Sequence, residues 1–95
     1  MRVLVRAAAA ADIDEAYRWY ENRRAGLGEE FLREVEAVRE RILLSPDTFP
    51  VMHRQTRRVL LRRFPYAMYY RVDGDLVIVV ACMHGRRDPK RMANR

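Results

Sequence analysis

The sequence predicts an α+β domain: a short N-terminal strand, then an antiparallel helical hairpin packed on a small, mainly antiparallel β-sheet. Three observations carry this. Two segments of helical period come first, parted by a break of a few residues at Ala25-Gly26-Leu27-Gly28. Beyond Pro50 the period shortens and β-formers dominate. An apolar run of eight residues, Leu76 to Met83, reads as a central strand covered on one side by the helices. At 95 residues the chain is a single domain, 1–95, ending in a basic tail over 85–95.

Taken in order, Arg2-Val3-Leu4-Val5-Arg6 is β-rich and reads as a short strand. Ala7 to Ala11 leads into the first helix, with Asp12, Asp14 and Glu15 expected in its first turns, where acids suit the positive end of the dipole. Ile13, Ala16, Tyr17 and Tyr20 follow the i, i+3, i+4, i+7 spacing of one buried stripe. Trp19 falls at the margin of that stripe, fit either for core packing or for lining a partner groove. Gly26 is expected to cap the first helix in the left-handed region.

The second helix carries Phe31, Val35, Val38 and Ile42 on its inner face, with an expected Glu29–Arg33 ion pair on its wet side. Ser45-Pro46-Asp47 ends it. Strands are then expected over Arg57–Phe64, Tyr66–Val72 and Leu76–Met83, with a bend at Phe64-Pro65. Asp73-Gly74 is expected to form a type I′ hairpin turn. Alternation sets Arg58 and Arg62 on one face and Arg57 and Arg63 on the other. It also opposes Tyr69 to Tyr70, so that one of the two is expected to face out.

Composition narrows the function. The chain has 19 basic and 13 acidic residues, a net charge of +6, and Lys90 is the one lysine among eighteen arginines. Residues 1–53 carry a net charge of −2 and residues 54–95 one of +8, so the second half favours an anionic partner. No apolar run approaches the ~20 residues that span a bilayer. The first residues lack the apolar core of a signal peptide. One cysteine, Cys82, cannot form an internal disulfide, and no Cys/His set has zinc spacing, so no structural metal is expected. No cofactor is expected either. The expectation is a cytoplasmic protein that does not engage membranes.

Several local motifs, in this order and spacing, resemble the RelE/ParE superfamily of type II toxin–antitoxin toxins. They are Ala11-Asp12-Ile13-Asp14, Trp19-Tyr20, Gly26-Leu27-Gly28 with Phe31-Leu32, Ser45-Pro46, Arg63-Phe64-Pro65-Tyr66, Tyr69-Tyr70 and His84-Gly85-Arg86-Arg87-Asp88-Pro89. The resemblance covers nearly the whole chain. It implies one of two activities. ParE-like toxins poison DNA gyrase and are silenced by a ParD-like antitoxin. RelE-like toxins cut messenger RNA on the ribosome and are silenced by a RelB-like one.

The residues favour the ParE branch. RNA cleavage by 2′-OH attack needs a base, cations on the phosphorane and an acid for the leaving oxygen. The sheet region has arginines and no lysine, and arginine is a poor proton carrier. A RelE-like site would have to rest on His84, Arg87 and Tyr70. A His followed by Arg at the end of the last strand resembles the ParE pattern, which implies target binding by His84, Arg86 and Arg87. Antitoxin contact is expected at Trp19, Tyr20, Leu27, Phe31, Arg58 and Arg62. The antitoxin is expected to fold an acidic, apolar segment on these residues and to make the operator DNA contacts itself.

Overall fold

The computed structural model describes residues 1–85. Its elements run β1 (Arg2–Val5), α1 (Ala7–Arg23), α2 (Leu27–Leu44), β2 (Val51–His53), β3 (Thr56–Leu60), β4 (Tyr66–Asp73) and β5 (Leu76–His84). The five strands form one sheet in the order β1-β5-β4-β3-β2. β1 joins β5 in parallel and every other pair is antiparallel. The apolar run of residues 76–83 thus lies inside the sheet, between β1 and β4.

The helical hairpin packs on one face of the sheet. Phe31, Val38 and Ile42 of α2 and Ala9, Ala16 and Tyr20 of α1 meet Val59, Met68, Tyr70, Val77, Val79 and Cys82 from the strands. Ala67, Tyr69, Val80, Ala81 and Met83 form a second cluster, on the opposite face. The two faces become distinct at a bulge: Tyr69 pairs with Ala81 but Tyr70 pairs with Val79, which leaves Val80 unmatched. The bulge sets Val80 and Ala81 on the same face. Tyr69 and Tyr70 do point to opposite faces, yet both are buried, at 1% and 0% exposure. The expectation that one faces out fails because the second face is apolar too.

Other local expectations shift for physical reasons. Helix α1 starts at Ala7, so no acid lies in its first turn. The alanines themselves have the highest helix propensity and need no acid to start. Gly26 does take a left-handed φ of +89°, but it precedes α2 instead of closing α1, whose last cap is Arg24 in extended geometry. In the β4–β5 turn Asp73 pairs with Leu76, so the two loop residues are Gly74 and Asp75, and only Gly74 has positive φ. A type I′ turn, which needs both positive, is therefore not formed. Glu29 takes the Tyr17 hydroxyl at 3.3 Å in place of the expected Arg33. Residues 51–53 pair with β3, adding a short edge strand ahead of the strands expected from Arg57 onward.

Two carboxylates lock the helices. Glu21 of α1 accepts the backbone N–H groups of Gly26 and Gly28, both at 2.9 Å, and closes the hairpin turn. Gly28 is buried so tightly that a Cβ there would stand 2.8 Å from the Tyr17 ring and the Tyr17 carbonyl oxygen. Glu34 of α2 accepts the N–H groups of Arg62 and Arg63 and so ties α2 to the bend after β3.

Candidate functional site

Two surface features collect the residues of interest. The first runs along the mouth between α1 and the end of β5. Trp19, 52% exposed, stands edge-on to Tyr20 at 5.1 Å between ring centres. Tyr20 in turn touches Phe64 at 4.8 Å and Tyr66 at 6.0 Å. Tyr66 stands 5.6 Å from the His84 ring. A row of aromatic contacts thus connects exposed Trp19 to half-buried His84, two residues 65 positions apart in sequence. Arg23 lies 4.4 Å over the Trp19 ring and holds it on the helix surface.

Beside this row, Asp12, Glu15, Tyr66 and Cys82 line a cavity of about 20 Å³, room for a single water. Asp12 accepts the backbone N–H of Cys82 at 3.0 Å, beyond the point where β1 stops pairing with β5. Burial, with Asp12 nearby, pushes the Cys82 thiol up to about 12. The thiol is therefore an inert packing group here.

The second feature is an open groove of about 550 Å³ between α2 and the bend after β3. Ala37 and Val38 supply an apolar wall, and Arg41, Arg62 and Arg63 supply cations around Glu34 and Glu40. Glu34 and Glu30 are both engaged by arginine. Burial raises the Glu34 carboxyl, but the Arg63 N–H, its guanidinium and the Arg62 N–H outweigh this and leave it below the usual carboxylate range. Glu30 is lowered chiefly by its hydrogen bond from Arg24, 2.9 Å away. Glu34 and Arg63 are spent on each other, so the groove's outward character is set by Arg41, Arg62, the Glu40 carboxylate and the apolar wall.

The residues named from sequence distribute unevenly over these features. Trp19 is on the surface, so its alternative as a core residue is not realised. Phe31, at 0% exposure, and Tyr20, at 8%, are core residues and offer no surface for an antitoxin. The helical stripe that marks them as apolar is the stripe that the sheet covers. Leu27 is half-buried at the start of α2. Arg58 and Arg62 do not share a strand face, because β3 ends at Leu60. Arg58 lies opposite Tyr69 on the face away from the helices, while Arg62 sits in the bend and lines the groove. Arg57 faces the helices and donates to the carbonyls of Asp47 and Phe49.

Tyr70 is wholly buried among helix-side residues and donates its hydroxyl to the Pro46 carbonyl. Burial pushes its phenol up. It is a structural tie between the sheet and the end of α2, not a group that can reach a substrate. Arg86 and Arg87 lie outside the described residues. Sequence reasoning missed the groove altogether. Its one signal was small Ala37 among long charged side chains on the outer part of α2.

Three comparisons place the chain. A model of the family described as ParE toxin of type II toxin-antitoxin system, parDE, matches residues 3–89. Toxin ParE2 of Mycobacterium tuberculosis, from strains CDC 1551 / Oshkosh and ATCC 25618 / H37Rv, is 33% identical over 55 residues, 58% of this chain. That match takes in 52% of the relative, so the chain spans about half the length of the curated relatives it matches. A solved structure described as the chromosomal ParDE TA system from P. aeruginosa superposes with a TM-score of 0.67. It covers 88% of this chain and 95% of that one at 22% identity, which is a likeness of fold. With nearly its whole length inside the family match, this chain belongs to the ParE toxin family of type II toxin–antitoxin systems.

Proposed function

We propose that this ParE-family toxin inhibits DNA gyrase by protein binding and is silenced by a ParD-like antitoxin in the cytoplasm of a bacterium. The observation that carries the antitoxin half is the groove beside α2. Its apolar wall and the arginines Arg41 and Arg62 complement an acidic, apolar segment of the kind that folds on binding. Exposed Trp19, held by Arg23, is a second anchor of the sort that carries binding energy at interfaces. The solved ParDE system supports the pairing of such a fold with an antitoxin.

For the target, His84 remains the described residue of the expected docking end, and Arg86 and Arg87 would extend it with charge. The tyrosine that a RelE-like site would draw on, Tyr70, is buried with its hydroxyl engaged. This favours inhibition through contact over an mRNA-cleaving site built on His84, Arg87 and Tyr70. Operator binding would fall to the antitoxin.

The test is a gyrase supercoiling assay with purified chain, alongside a translation assay. Loss of supercoiling or accumulation of cleaved DNA, relieved by antitoxin, is the expected result. Unimpaired gyrase together with codon-linked cuts in messenger RNA would replace this reading with the RelE-like one.

A further inference from the structure

We infer that Glu40 is a specificity determinant of the groove beside α2: its carboxylate takes a Lys or Arg of the antitoxin segment, which also carries acids for Arg41 and Arg62. This rests on the antitoxin reading given above and adds the charge pattern that the segment must present.

The first argument is local. Glu40 gains nothing from its own helix. Its neighbours at i−4, i−3, i+3 and i+4 are Glu36, Ala37, Leu43 and Leu44, so no cation lies above or below it on α2. Glu36 is a like charge, and the cation beside it, Arg39, is already bound to it at 2.9 Å. Glu40 also stands one turn from the C-terminal end of α2 at Leu44, the end where the helix dipole disfavours an acid. Among the described residues no cation lies within ion-pair distance of its carboxylate. A charge set against its local preferences, with no return inside the fold, marks a surface that meets a partner.

The second argument is placement. Glu40 lines the groove beside the apolar wall of Ala37 and Val38, together with Arg41 and Arg62. Arg63 is taken by Glu34 at 2.8 Å. Arg41 rests 5.5 Å over the Phe49 ring, and Arg62 gives Glu34 its backbone N–H at 2.8 Å. Among the described residues neither of these two guanidinium groups has a carboxylate within ion-pair distance. The groove therefore presents two cations and one anion, each without an ionic partner.

Charge complementarity then selects the occupant. A segment carrying acids alone would set a like charge beside Glu40, which costs affinity. A wholly apolar segment would cover all three charges and pair none of them. A segment with one base among its acids, and small or apolar residues against Ala37, satisfies the three together. Glu40 thereby rejects a segment that places an acid at that point, which is discrimination by repulsion.

The experiment measures, by calorimetry, binding of this chain to the antitoxin encoded beside it. Glu40→Gln, nearly the same shape, should weaken binding about fivefold, the loss of one partly exposed ion pair. Glu40→Arg should weaken it at least about 100-fold, because like charges then face each other. Both variants should unfold at the wild-type temperature or above it, since they relieve the repulsion by Glu36 and suit the helix end. Each Lys and Arg of the antitoxin segment is then changed in turn to Glu. One such antitoxin should lose the wild-type chain and recover Glu40→Arg to within about tenfold of the natural pair. Equal or tighter binding by Glu40→Gln overturns the inference, for the segment then brings no base to Glu40. Weakened binding that no reversal in the antitoxin restores overturns it too, since the loss then comes from a disturbed groove. In both cases the wild-type chain still binds and the antitoxin reading stands. A wild-type chain that binds no antitoxin removes that reading as well, which separates the two failures.

Discussion

Glu34 holds Arg63 three times over: the Arg63 N–H donates to both carboxylate oxygens, at 3.1 and 3.2 Å, and the Arg63 Nε donates to Oε2 at 2.8 Å. These contacts fix the bend that shapes the groove beside α2. Glu34→Gln keeps the shape but removes the charge, and should cost about 1 kcal/mol of stability, since hydrogen bonds to charged groups exceed neutral ones. The carboxyl is held below its ordinary value in the folded chain. Its contribution is therefore complete above the unfolded carboxylate pKa and is lost as pH falls through the lower folded value. Urea titrations at neutral pH and below pH 4 should show the gap between wild type and Glu34→Gln closing on the acid side. An equal gap at both would refute the assignment.

Gly26 and Gly28 flank the start of α2 and are needed for different reasons. At Gly26 the φ of +89° is the constraint and a Cβ would meet nothing. At Gly28 the backbone is helical and the Tyr17 ring is the constraint. Gly28→Ala should therefore cost about 2–3 kcal/mol through overpacking. Gly26→Ala should cost about 1 kcal/mol through backbone strain. Thermal unfolding of both variants checks the order, and a milder Gly28→Ala would show that Tyr17 moves aside easily.

Phe31 and Trp19 separate core from surface. Phe31→Ala should destabilise by about 3–5 kcal/mol, enough to unfold a domain of this size. Trp19→Ala should change stability by about 0.5 kcal/mol or less, beyond the loss of its Arg23 and Tyr20 contacts, and should weaken antitoxin binding about tenfold or more. Calorimetry on the folded Trp19→Ala variant decides. Unaltered affinity would take Trp19 out of the interface.

These contrasts show what the sequence could reveal. Period and turn residues were enough for the helical hairpin, the bend at Phe64-Pro65 and the central β5, because burial on one or both faces writes itself into spacing. They did not separate Phe31 from Trp19 as partner-facing groups. Both are large and apolar, and only packing tells which is covered. The bulge at Val80 and the pairing of β2 depend on cross-strand register, which no local pattern encodes. The groove was hidden for the same reason: Ala37 and Arg62 lie 25 residues apart in sequence and meet only through the clasp of Glu34 on the bend.

Cys82 gives a direct test of the inner sheet. The residue is 2% exposed, and burial pushes its thiol up to about 12. Folded chain should resist iodoacetamide at pH 8 for hours, and chain in strong denaturant should react within minutes, as an ordinary thiol does. The rate in low denaturant then reports opening of β5 from α1. Fast alkylation of native chain would contradict this packing.

Tyr70 separates the proposed gyrase inhibition from an mRNA-cleaving site. Its hydroxyl donates to the Pro46 carbonyl and its ring lies under the helices. Tyr70→Phe removes that one bond and leaves the ring, so it should cost about 1 kcal/mol and leave growth arrest intact. An mRNA-cleaving site that relied on Tyr70 as an acid would instead lose activity with little change in fold. Arrest by Tyr70→Phe in cells, measured beside its unfolding midpoint, separates the outcomes: a stable variant that no longer arrests growth would return Tyr70 to the site and favour cleavage over gyrase inhibition.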